Sequence, residues 1–291
     1  MKEALLYEKL DNKRVRCLVC DYKCLIKDNN YGVCRVRKNV NGVLHSLNNG
    51  FTIAASIDPI EKKPLYHFLP KTKIYSFAAL GCNMHCLWCQ NYDISQVEPS
   101  KITSFGMKIS PEEHVQQALK HKTPSIAYTY SEPTVFLEYA LEVMKLAKKN
   151  NIKNVWVSNG FMSIETLNLI LPYLDAINID LKGPNNAFYQ KYSGGLLTSV
   201  IRNLKEIKSH PHVHLEITTL LISDLNDSEE QIKQMIDLII STVGKDVPWH
   251  VSRFFPAYKL RHYPPTPIEK LYLAEALGKQ AGMKHIYLGN I

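Results

Sequence analysis

From Ile74 to Gly289, β-like and helical stretches alternate, and this alternation constrains the fold more than any other feature of the 291 residues. Strands are expected at 73–80, 125–130, 154–159, 176–182, 213–222 and 249–255, with a last short one at 285–289. Helices lie between them. Three open on the capping-box pattern, Ser110-x-x-Glu113, Ser228-x-x-Gln231 and Thr266-x-x-Glu269, two of them with proline at the first helical position. Another runs from about Thr134 to Lys149, with Leu137, Leu141, Met144 and Ala147 as a core-facing stripe. Six strand-then-helix units predict an α/β fold with a parallel sheet and right-handed crossovers. Such a sheet curls into a partial (β/α)6 or full barrel, with its working residues at the C-terminal ends of the strands.

Polar residues gather where that rim would be. The first strand ends in Gly81-Cys-Asn-Met-His-Cys-Leu-Trp-Cys-Gln90, and the second in Tyr130-Ser-Glu-Pro-Thr134. Ser158-Asn-Gly160, Asp180-Leu-Lys182 and Asp224-Leu-Asn-Asp227 follow the next three, and His250 and Arg253 lie in the sixth. Singly these are weak signals. Ser-Asn-Gly is an ordinary turn, and Asp180 with Lys182 lies two apart on one strand face, often no more than an ion pair. Their convergence on one rim makes a site.

Cys82, Cys86 and Cys89, spaced x3 then x2, can bind three corners of a [4Fe-4S] cube as thiolates and leave the fourth iron without a protein ligand. Structural zinc is the competing reading. It needs a fourth ligand, such as His85 or a distant residue, and no cysteine follows Cys89. Plain packing of free thiols is the third.

Residues 14–37 hold a second group, Cys17-x2-Cys20-x3-Cys24-x9-Cys34. Four thiols in so short a stretch suit a four-thiolate zinc or an auxiliary iron–sulfur cluster, and no spacing rule separates the two. Ligation would help fold a segment with little core of its own. Short β-like runs and Asn-Gly turns follow, then Asp58-Pro-Ile-Glu-Lys-Lys-Pro-Leu-Tyr-His-Phe-Leu-Pro70. Its three prolines leave an ordered loop or edge segment. Domains are thus expected at 1–72, a cysteine-rich basic extension with short strands, and 73–291, the core.

The formal charge of +8 sits almost wholly in the extension, where residues 1–73 hold 14 Lys or Arg against 7 Asp or Glu. That could steer an acidic partner, a phosphorylated substrate or RNA, or be only a solvated surface. A charged N-terminus, MKEALLYEKL, and the lack of a long apolar run predict a cytoplasmic protein. Seven cysteines, an odd number in two clusters, fit metal binding in a reducing compartment better than disulfides.

The cysteine triplet, with Trp88 directly before its last member, resembles the signature of the radical S-adenosylmethionine (SAM) superfamily. That resemblance implies a TIM-like radical SAM barrel over roughly residues 73–290. It also implies an open iron chelated by the SAM amino and carboxylate groups, homolytic cleavage to a 5′-deoxyadenosyl radical, and Trp88 near the adenine. Ser131-Glu-Pro-Thr134 resembles the family's Gly-Gly-Glu-Pro motif, with Tyr130 and Ser131 in place of the glycines, which implies that backbone here and Glu132 hold the SAM amino group. Asn159, Asp180 and Lys182 fall in motifs resembling those that help glycyl-radical-enzyme activases bind SAM, and His250 and Arg253 are weaker rim candidates. The segment from Asp58 to Phe68, followed by Gly-Cys-Asn-x-x-Cys-x-x-Cys-Gln-Asn and Tyr-Thr-Tyr-x-Glu-Pro-Thr, resembles AmmeMemoRadiSam-type radical SAM proteins, relatives of pyruvate formate-lyase activating enzyme. The implied partners are SAM, an electron donor such as ferredoxin or flavodoxin, and an unknown substrate that could be a protein. No catalytic side chain is assigned. The non-enzymatic alternative is a zinc protein contacting nucleic acid or an acidic partner through its basic N-terminal segment.

Overall fold

The computed structural model describes residues 1–291, apart from the side chain of Thr103. Its centre is one sheet of eight strands, β1 (Ala54–Pro59), β2 (Lys73–Ala78), β3 (Ser125–Tyr128), β4 (Lys153–Ser158), β5 (Ala176–Asp180), β6 (His214–Leu221), β7 (Trp249–Arg253) and β8 (Ile286–Gly289). Spatial order follows chain order. β2 to β8 run parallel, while β1 lies antiparallel on β2 and closes one edge. Among the described residues β1 and β8 do not pair, so the barrel is partial. The crossovers carry α1 (Pro111–Lys120), α2 (Leu137–Lys149), α3 (Ile164–Ile170), α4 (Leu197–Lys208), α5 (Glu229–Val243) and α6 (Ile268–Gln280).

Local chemistry sets the helix starts. Ser110 and Ser228 each form the reciprocal capping box with Glu113 and Gln231. The expected box at Thr266 does not form: its hydroxyl donates to Leu221 O at 2.7 Å, and α6 begins two residues later without a side-chain cap. A bond that ties the helix entrance to β6 wins over the local cap.

In a parallel sheet, paired residues share a face, so inward-facing positions can be followed from strand to strand. Val157 pairs with Asn178, and Asn178 with Glu216. Two residues on, Asp180 pairs with Thr218, which pairs with His250 and through it with Tyr287, and the stagger of the strands carries this row from the rim at Asp180 to the floor at His250. These side chains fill the barrel interior in layers.

The proline-rich segment after β1 closes the N-terminal end of the barrel. Ile60 and Leu65 pack with Ile74, Ala127, Val155 and Ala176, and Phe68 and Leu69 lie against that cluster. Asn178 Nδ2 donates to Pro64 O at 2.7 Å. The backbone N–H groups of Tyr66 and His67 donate to the Glu216 carboxylate at 3.1 and 2.8 Å. Pro64 breaks any helix here, and the lumen completes the strap's hydrogen bonds.

The N-terminal residues add two small three-stranded antiparallel sheets. One packs Arg37 against Glu138 of α2 as a fully buried ion pair at 2.7 Å, and the Leu5 N–H donates to the same carboxylate. Val15, Val19, Ile26, Val36 and Leu44 join the main core. The extension is therefore held by more apolar burial than its sequence suggests, and its strand Ala54–Pro59 belongs to the central sheet. No helix among the described residues is long and apolar enough to cross a membrane.

Glu216 anchors the barrel floor and generates the first prediction. Burial alone would raise its pKa, but bonds from His214, His250 and the two strap N–H groups bring it down to about 2. A depressed folded-state pKa contributes stability above the ordinary value of 4.5, lost as pH falls from there towards about 2. Glu216→Gln should thus cost on the order of 3 kcal/mol at neutral pH, with the gap to wild type shrinking across that window. Urea unfolding measured through the same pH range checks it; a gap that stays constant would mean the charge contributes nothing.

Candidate active site

At the opposite, C-terminal end of the strands lies a cavity of about 350 Å3. Cys82, Cys86 and Cys89 line it from the loop after β2, Tyr130, Ser131 and Glu132 from the end of β3, Ser158 and Asn159 from β4, and Asp180 and Lys182 from β5. Gly81 shapes this loop. It has φ +105°, and a Cβ there would meet Val36 Cγ1 at 2.6 Å, so only glycine lets the cysteine loop turn against the N-terminal sheet.

Hydrogen bonds hold the three motifs to one another. The Glu132 carboxylate is buried and accepts from Thr134 N (3.1 Å), Thr134 Oγ1 (2.6 Å), Ser158 Oγ (2.8 Å) and Asn159 N (2.8 Å). Burial keeps its pKa above the usual carboxylate value despite these donors. Its visible role is to lock the end of β3 to the end of β4. Asn159 then reaches the cysteine loop: its Nδ2 donates to Asn83 Oδ1 at 2.7 Å and points to Cys82 Sγ at 3.7 Å. Met84 N donates to the same sulfur at 3.3 Å. His85, the conceivable fourth zinc ligand, instead bonds Gln96 through its ring.

The electrostatics suit a group that brings its own positive charge. Burial, reinforced by the Glu132 carboxylate, pushes the Cys82 thiol well up. Cys86 is pushed up to about 11 by burial, against the pull of the Lys182 ammonium. Buried thiols ionise when a metal compensates them, and the N–H groups aimed at Cys82 Sγ match what cluster sulfurs accept. Among the described residues, no three His, Cys, Asp or Glu side chains converge on one metal ion. A cube that spreads its thiolates over separate corners does not ask them to. Three thiols on one loop with N–H donors aimed at one sulfur are the donor set a cluster takes.

Asp180 and Lys182 pair at 2.9 Å. Burial opposes the lysine charge, yet Asp180 and the nearby Cys86 hold its pKa above the ordinary value. Trp88 is buried at the cavity edge with its ring 5.9 Å from that of Phe188. Two candidates lie elsewhere. His250 is the second residue of β7, and its side chain turns to the floor, donating to Glu216 at 2.6 Å beneath the edge of Tyr66. Arg253 donates to Thr266 O at 2.7 Å and stacks on Phe255. Neither lines the cavity: His250 shares the face of the lining Ser252 but sits lower on β7, whereas Arg253, of opposite parity, faces away from it. Lys62, Lys63, Thr218 and Asn290 also line the cavity. The run of two lysines between prolines was the available signal for the first pair.

Residues 78–239 match the family model described as the Radical SAM superfamily. An uncharacterized protein of Methanocaldococcus jannaschii is 42% identical over 291 residues, 100% of this chain and 86% of that protein. The (2S)-3-sulfopropanediol sulfolyase activating enzyme of Bilophila wadsworthia is 28% identical over 103 residues, 35% of this chain and 34% of that enzyme. A solved radical SAM methyltransferase from Sphaerobacter thermophilus superposes with a TM-score of 0.58 at 13% identity, over 76% of this chain and 67% of that one, a likeness of fold. With the matched segment carrying the cysteine loop and the next four strand ends, the chain belongs to the radical SAM superfamily.

Proposed function

We propose that this enzyme cleaves SAM reductively in the strand-end cavity and uses the resulting radical to abstract hydrogen from a substrate. The observation that carries this reading is the meeting, in one cavity, of three thiols with Glu132, Asn159, Asp180 and Lys182. With a [4Fe-4S] cluster bound, one electron from it would cleave SAM to methionine and a 5′-deoxyadenosyl radical; the chain supplies binding, orientation and exclusion of water. Cys82, Cys86 and Cys89 would hold the cluster. Glu132 fixes the Ser158–Asn159 turn, and Asn159 directs its amide at Cys82. Asp180 and Lys182 offer an acceptor and a cation to the polar groups of SAM, and Trp88 an apolar wall to its adenine. An external donor such as ferredoxin or flavodoxin would supply the electron. Membership of an enzyme superfamily displaces the alternative of a zinc protein that binds nucleic acid. Similarity to an activating enzyme supports hydrogen abstraction as the step, and a protein glycine is a candidate target.

Replacing Cys82, Cys86 and Cys89 by Ala should abolish the cluster's visible absorption and all 5′-deoxyadenosine formed with dithionite and SAM under anaerobic conditions. Persistent 5′-deoxyadenosine in that variant, measured by chromatography, would sink the assignment.

We also propose that Cys17, Cys20, Cys24 and Cys34 form a second metal centre that helps fold the extension. All four are free thiols, and charge on one raises its neighbours, as expected for sulfurs gathered in one place. The centre would close by rotation of these side chains. Cys17→Ser with Cys20→Ser should release one metal equivalent and make residues 1–40 protease-sensitive, since four-thiolate zinc binding is worth ~10–16 kcal/mol to small folds. Unchanged metal content would show that these cysteines are only packed thiols.

A further inference from the structure

The floor strap sends one side chain upward through the barrel. Lys63 leaves the strap and is only 2% exposed, yet it lines the strand-end cavity. Its ammonium donates to Asp58 Oδ2 at 2.8 Å and to Tyr130 Oη at 3.1 Å. Tyr130 donates in turn to Asp58 at 2.6 Å and adopts φ +64°, a strained conformation for a tyrosine that the surrounding bonds must hold. An ammonium has three N–H donors, and two are used among the described residues. Lys62 lines the same wall, with Nζ 3.4 Å from Asp58 Oδ1. One carboxylate thus serves two ammonium groups and leaves a positive charge over. Across the cavity floor Thr218 Oγ1 is buried without a hydrogen-bond partner.

Two facts separate this corner from the SAM machinery. Asp58, Lys62 and Lys63 precede the segment that matches the superfamily, residues 78–239, while Tyr130 lies inside it and is where the corner adjoins the SAM motif. They also lie beside β2 and β3, whereas the other cation of the cavity, Lys182, follows β5. Lys182 already has Asp180 as its counter-charge, and on the radical SAM reading the single carboxylate of SAM is taken by the open iron, so none remains for Lys63. Asp58 balances the buried Lys63 ammonium, which also lies 4.3 Å over the Tyr130 ring, and the charge left over is that of the exposed Lys62 at the cavity wall; an oxyanion entering beside the pair would accept the Lys63 N–H that no oxygen takes.

We propose that Lys63, positioned by Asp58 and Tyr130 and assisted by Lys62, anchors an oxyanion of the substrate, so that the molecule giving up hydrogen carries a carboxylate or a phosphate group. The identity of the occupant as substrate rests on the radical SAM reading of the cavity; the anion site itself does not. An uncharged peptide backbone would leave the corner unanswered, which makes a small acid or phosphorylated compound the fitting class.

The test is equilibrium dialysis of the full-length, cluster-loaded, SAM-bound protein against radiolabelled inorganic phosphate and, separately, acetate, with acetamide as the neutral control. Saturable binding of at least one anion and none of acetamide is expected, and the two arms tell a phosphate site from a carboxylate site. Lys63→Met should weaken that binding about tenfold or more, the scale of one charge-assisted hydrogen bond, and Lys62→Met about threefold, as expected for a more exposed cation. Should Lys63→Met fail to fold, the exposed Lys62→Met decides alone. Absence of saturable binding, equal binding of acetamide, or unchanged affinity in a folded variant overturns the proposal. So does a parallel loss of SAM binding in Lys63→Met, which would assign Lys63 to the SAM site. A wild-type protein that takes up no cluster would instead contradict the earlier reading of the cavity.

Discussion

The parallel direction of seven strands is the constraint on which everything else depends. It brings every strand's C-terminal end to one rim and every second side chain into one lumen. A rim built this way is a set of loose loops until something joins them. The buried Glu132 carboxylate does so, binding the turn after β4 while Asn159 carries the connection on to the cysteine loop. The cavity is therefore preorganised by backbone and side-chain hydrogen bonds among residues far apart in sequence. A site that must position a reactive cofactor against its substrate needs that rigidity.

The lumen has two working ends with different chemistry. The lower end is structural: Glu216 gathers His214, His250 and the strap into a closed polar knot above an apolar plug. The upper end is open, with donors left over. Lys63 spans the two, rooted in the strap and ending in the cavity. The segment that seals the barrel thus also shapes what the barrel can accept.

Much of this was legible in the sequence where the signal is local. Strand–helix alternation gave the parallel sheet, serine capping boxes gave two helix starts, and the cysteine spacing gave the candidate cluster loop. Signals failed where distance along the chain or height along a strand mattered. His250 has the inward parity of a rim residue but sits at the wrong end of β7, and period-two reasoning fixes a face without fixing a level. Thr266 looks like a cap until β6 offers its hydroxyl a better partner. Glu132 is legible as a cavity residue, but its bonds to Ser158 and Asn159, 26 and 27 positions away, which make it a brace as well, are not. The strap reads as an ordered loop or edge segment because nothing local announces that Pro64, Tyr66 and His67 meet β5 and β6 beneath the sheet.

On the proposed function, the cavity beside Cys82, Cys86 and Cys89 presents SAM to a cluster with one iron free of protein ligands. Mössbauer spectroscopy on isotope-enriched, anaerobically reconstituted protein tests it most directly, with spectra taken before and after SAM is added. A single iron of the cluster should change its isomer shift on SAM binding while the others do not. A spectrum unmoved by saturating SAM, or one in which every iron is already ligated by the protein, would contradict it.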